Sequence, residues 1–134
     1  MRASASCAGA FVDVVIPITT VEARVTGARR IREAKTAIRD GRYEHAVGLA
    51  RATLDPVREA CDTHNVNREA LKKKPAERDQ EERWAVFIQS AFNLFSGAPS
   101  DDAGTTEDFT WARADAIEAV TAAAGLLARL EDLP

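Results

Sequence analysis

The chain has 134 residues, 46% of them hydrophobic and 29% charged, with a formal net charge of −3. That length suits one domain with a single core, and the composition excludes a globally disordered or fibrous chain. The mild acidity excludes a nucleic-acid binder that works by bulk electrostatics, and no stretch of sequence has the length and apolarity of a membrane span.

Residues 1–10 (MRASASCAGA) read as a flexible leader. The apolar run that follows is interrupted by Asp13, too short and too polar for a secretory signal, so the chain reads as cytoplasmic. Over residues 11–19, Val12, Val14, Ile16 and Ile18 alternate onto one face, which is a strand pattern. Pro17 lacks an N–H and suits an edge strand. One strand forms no sheet, and a bare aliphatic edge invites aggregation. The expected solution is pairing with the same strand of a second copy in a C2 dimer, or completion of a sheet in another domain or protein. Val12, Val14, Ile16 and Ile18 are therefore the candidate interface residues.

From Val21 to Asp40 the apolar positions Val21, Val25, Ala28, Ile31, Ala34 and Ile38 step by three or four, predicting an amphipathic helix ended by Asp40-Gly41. It carries six basic residues: Arg24, Arg29, Arg30, Arg32, Lys35 and Arg39. A second helix starts near Tyr43, with Val47, Ala50, Leu54, Val57, Cys61 and His64 on one stripe. Pro56 inside it predicts a kink, or a split with Asp55 capping the second piece. Residues 62–77 are polar and read as a long connection with room for a short helical turn. A third helix runs from Pro75 to about Phe95, carries four of the eight aromatic residues and is expected to be central. A small, acidic loop follows, and Thr110 is the expected N-cap of a fourth helix from Trp111 to about Asp132, with Trp111, Ala114, Ile117, Val120, Ala124, Leu127 and Leu130 as its apolar stripe.

The expected fold is all-α: a four-helix bundle over residues 20–134, preceded by a single N-terminal β-strand. Cys7 and Cys61 make no CxxC or Cys/His set, so no zinc site is expected and Cys61 reads as a buried thiol. The acidic cluster Asp101, Asp102, Glu107 and Asp108 lacks the spacing of a calcium loop. No P-loop, GxGxxG or serine-nucleophile motif is present. No metal and no cofactor are expected. Trp84, Trp111, Phe87, Phe92, Phe95 and Phe109 read as core, with an aromatic ligand pocket as the competing reading.

The stretch AIRDGRYEHAVGLARATLDP resembles one half of a tetratricopeptide-type repeat through Gly41, Tyr43, Ala46 and Leu54. No second copy follows, so it is read as a generic αα-hairpin in which Gly ends a helix, Tyr wedges and Ala allows close approach. Residues 26–132 resemble the HEPN-like bundles of prokaryotic toxin, defence and regulatory proteins. The resemblance rests on a helix pair with a Gly-containing turn, an apolar third helix, the loop SGAPSDD and a last helix TWARADAIEAVTAAAGLLARL. It implies a helical bundle and, in the ribonuclease members, an Arg, four to six intervening residues and then a His near the end of the third helix. Here Ser100 stands in that neighbourhood and no His follows residue 64.

Arg39 with His45, and Arg58 with His64, do have such a spacing. Metal-free RNA cleavage would use His as acid or base and Arg to stabilise the phosphorane. Arg58 and His64, beside Asn65, Asn67 and Arg68, form the better pair. The leading reading is a non-enzymatic interaction or oligomerisation module, a homodimer or the binder of another protein, with the strand and first helix as interface. The alternative is a HEPN-type ribonuclease or its inactive relative, acting on RNA through Arg58 and His64.

Overall fold

The computed structural model describes residues 21–98 and 109–130. The expected strand with Val12, Val14, Ile16 and Ile18, together with Cys7 and the acidic loop, lies outside the described residues. Within them are five α-helices: α1 Val21–Arg39, α2 Tyr43–Ala60, α3 Thr63–Ala70, α4 Gln80–Phe95 and α5 Arg113–Arg129, with a 3₁₀ turn at Pro75–Glu77. The fold of the described residues is all-helical, as the periodicity predicts, with one helix more than the four expected.

Helix α1 stops where Gly41 takes a left-handed φ of 80°. Gly41 N–H donates to the Ile38 carbonyl and Arg42 N–H to that of Ala37, closing the helix end as a Schellman motif. The buried line of α1 is Gly27, Ile31, Ala34 and Ala37 rather than the expected line through Val25. Two positions along a helix turn the chain by about 200°, so Val25 points away from Gly27 and is 57% exposed. Gly27 faces α5 so closely that a Cβ there would stand 2.6 Å from Leu127 Cδ2.

Helix α2 runs unbroken through Pro56, against the expected kink or split. Pro56 has no N–H, so the Ala52 carbonyl one turn earlier lacks its helical donor. Arg30 Nη1 on α1 donates to that carbonyl at 2.9 Å. Helix α2 is also the centre of the bundle, packing most extensively on α5 and α1 and less so on α4 and α3. The expectation that the aromatic helix is central is thus corrected. Helix α4 packs on α3 and α2 and meets α5 only sparingly.

Asp62 adopts a left-handed φ of 49° and separates α2 from α3. The polar stretch expected as a connection therefore holds an eight-residue helix. Its buried residues are Thr63 and Ala70 alone, too few for a visible apolar stripe. Pro75 heads only the 3₁₀ turn, because Arg78 returns to extended backbone. The true start of α4 is a capping box. Asp79 Oδ1 accepts from Glu82 N–H at 2.8 Å, and Glu82 Oε1 accepts from Asp79 N–H at 2.9 Å. Helix α5 likewise starts later than expected: Thr110 is not its cap, and Asp115 Oδ2 accepts from Ala112 N–H at 2.8 Å.

The core is built from Ile31, Ala34, Val47, Ala50, Leu54, Val57, Ile88 and Leu127 and a line of α5 alanines at 116, 119, 123 and 124. Alanine at these positions lets α5 approach α1 and α2 closely. Ala114 and Ile117, expected on the buried stripe of α5, face outward instead.

Candidate functional site

Arg58 and His64 line one shallow depression with Asp55, Glu59 and Asp62. His64 is exposed, not partly buried as its place on the α2 stripe suggests. The break at Asp62 removes it from that stripe and sets it on the first turn of α3. Arg58 points its charge elsewhere. Its Nε and Nη2 both donate to Gln89 Oε1 at 3.2 Å, and its guanidinium carbon lies 3.8 Å from the Phe92 ring centroid. Gln89 in turn donates to Asn93 Oδ1 at 2.9 Å. The arginine is thereby a clamp between α2 and α4, and three carboxylates line the depression beside the imidazole. A phosphodiester there would meet net negative charge. The other pair is also divided: Arg39 sits against Asp40 at 3.8 Å, while His45 lines a separate depression with Tyr43 and Trp111.

The lysine run is committed in part. Lys72 Nζ bonds Glu69 Oε2 at 3.0 Å, and Lys73 Nζ lies 2.9 Å from Glu82 Oε2, whose side chain is 9% exposed. Among the described residues no group of three or more His, Cys, Asp and Glu side chains is placed to hold a metal ion. No described helix is long and apolar enough to cross a membrane.

The aromatic residues form two groups rather than one pocket. Phe109 stacks on Trp111 with centroids 5.9 Å apart, beside Gly97, while Trp84 meets Phe87 edge-on at 5.9 Å. Trp84 contributes to an open cleft of about 550 Å³ with Cys61, Val66, Ile88 and Arg129. Arg129 already covers one face of the indole, at 3.9 Å from its centroid. Cys61 is half-buried at the floor, and burial raises its thiol pKa despite the opposing charge of Arg129. A protonated thiol is a poor nucleophile, and Asp62 and Glu81 add like charges to the rim.

What remains is on α4. Phe87 is 48% exposed and Leu94 55% exposed, with Trp84 and Ala91 half-buried between and beside them. Positions 84, 87, 91 and 94 are spaced three, four and three, which places them on one stripe along about 15 Å of helix. Phe87 is read from sequence as core, and no sequence signal separates a second apolar face of a helix from its buried one. Comparison with family models, with curated proteins and with solved structures gave no match.

Proposed function

We propose that this chain is a non-enzymatic helical-bundle module that works by protein–protein contact, in the first place with a second copy of itself. The observation that carries this reading is the apolar stripe on α4, where Phe87, beside Trp84, and Leu94, two turns further along, stand half in water. Isolated exposed apolar residues are ordinary, whereas a contiguous stripe marks a contact surface. The aliphatic face Val12, Val14, Ile16 and Ile18 in the chain before α1 supports the same reading and supplies a second candidate interface element. Light scattering on the intact chain and on one lacking residues 1–19 tests it. A dimer in both forms, or one that becomes a monomer on truncation, agrees; two monomers of equal compactness contradict the homodimer.

The ribonuclease alternative has weaker support. His64 is accessible and Arg58 lies in the same depression, but Arg58 is held by Gln89 and Phe92. If the chain cleaved RNA, and His64→Ala abolished that cleavage, the alternative would displace the interaction reading.

A further inference from the structure

The self-contact proposed above leaves open which described surface carries it, and the inference here rests on that reading. We infer that α4 is that surface and pairs antiparallel with α4 of a second copy. Three observations point to the same occupant.

The first is charge. From Trp84 through Ala98 the sequence WAVFIQSAFNLFSGA has no Asp, Glu, Lys or Arg, in a chain where 29% of residues are charged. A charge buried between two helices is costly unless it finds a partner, and this segment brings none to either side of the pair. Depletion of charge is also what distinguishes the centre of an interface from ordinary surface. Arg83, the cation next to the stripe in sequence, is held by the backbone: its Nε donates to the Arg78 carbonyl at 2.9 Å and its Nη2 to that of Ala76 at 3.2 Å.

The second is shape. The spacing of Trp84, Phe87, Ala91 and Leu94 is that of a and d positions over two heptads. A two-fold axis beside the middle of α4 sets Phe87 against the partner's Ala91 and Trp84 against the partner's Leu94, and the reverse pairs follow by symmetry. Large meets small in the inner layers, so the stripe is complementary to itself. The edge-on contact of Trp84 with Phe87 and the cover of Arg129 hold the aromatic pair in place before association.

The third is area. Phe87 and Leu94 leave on the order of 200 Å² of side chain in water, and Trp84, Ala91 and the flanking Ser90 add to it. A stable dimer buries about 800 Å² per partner. The stripe is thus the centre of an interface but not the whole of one, and a contact of this size makes a weak, reversible dimer.

Light scattering over a concentration series decides the matter, using the full chain and three variants: Phe87→Glu with Leu94→Glu, Val25→Glu, and Ile117→Glu. All four positions are exposed in the monomer, so each variant is expected to fold, with helicity and melting checked by circular dichroism. The inference expects the full chain, Val25→Glu and Ile117→Glu to dimerise. The α4 variant should dissociate at least a hundred-fold more readily. A dimer insensitive to the α4 charges overturns the α4 surface and leaves the self-association reading standing. A full chain that is monomeric at several hundred micromolar overturns both.

Discussion

Arg30 donates, from α1, the hydrogen bond that Pro56 withholds from α2. Its Nη1 lies 2.9 Å from the Ala52 carbonyl, the acceptor that Pro56 leaves open. A charged donor to such an acceptor contributes about 1.5–3 kcal/mol, which offsets much of the cost of an interior proline. Arg30→Ala should therefore lower stability by about 1–2 kcal/mol in urea unfolding. In a Pro56→Ala background the new N–H of residue 56 reaches the same carbonyl, and Arg30→Ala should cost clearly less. Equal costs in the two backgrounds would contradict the linkage.

Two glycines in helices should respond oppositely to alanine. At Gly125 nothing lies within 4 Å of an added Cβ, so Gly125→Ala should gain about 0.5–1 kcal/mol from helix propensity. At Gly27 the Cβ would stand 2.6 Å from Leu127 Cδ2, and Leu127 is only 1% exposed. Its methyl cannot swing into solvent, and overpacking costs about 1–3 kcal/mol. Gly27→Ala should lower the melting temperature while Gly125→Ala raises it, as read by circular dichroism.

Arg58 and His64 should separate cleanly in stability. Arg58→Ala removes both bonds to Gln89 and the contact with the Phe92 ring, a loss of about 1–2 kcal/mol. His64→Ala removes an exposed side chain and should change stability by less than about 0.5 kcal/mol. A large effect at His64 in chemical unfolding would show that the imidazole has a structural role not seen here.

The Glu82–Lys73 pair gives stability a defined pH window. The bond from Asp79 N–H, and then that from Lys73, hold the Glu82 carboxyl below its ordinary range. The bond to Glu82 holds the Lys73 ammonium above its ordinary range. A lowered folded pKa contributes stability above the unfolded carboxyl value, lost as pH falls through the folded value. A raised folded pKa contributes stability below the unfolded lysine value, lost as pH rises through the folded one. The pair is fully effective across neutral pH and fades at both ends. Glu82→Gln should lower the melting temperature at neutral pH and make it less sensitive to acid; an unchanged acid limb would contradict this.

The helical architecture was legible where stripes were strong and capped: the stop at Gly41 and the line Val47, Ala50, Leu54 and Val57 could be read directly. Three features were not. Helix α3 buries only Thr63 and Ala70, so it has almost no apolar period to see. The passage of α2 through Pro56 draws on an arginine on another helix, 22 positions from the Ala52 carbonyl it serves, which no local window contains. The α5 stripe was rotated because a run of alanines offers nearly equal apolar faces, and neighbouring α1 and α2 choose between them. For the candidate site, the composition of α4 was plain, but WAVFIQSAFNLF is apolar on more than one side. Only packing shows that Ile88 and Phe95 are buried while Phe87 and Leu94 are left over.

The measurement that tests the central claim most directly is native mass spectrometry on a mixture of nitrogen-15-labelled and unlabelled intact chains, incubated together at several hundred micromolar. Self-association through exchanging copies predicts a species of dimer mass midway between the two pure dimers. Monomer masses alone, from chains that are folded by circular dichroism, would contradict the account.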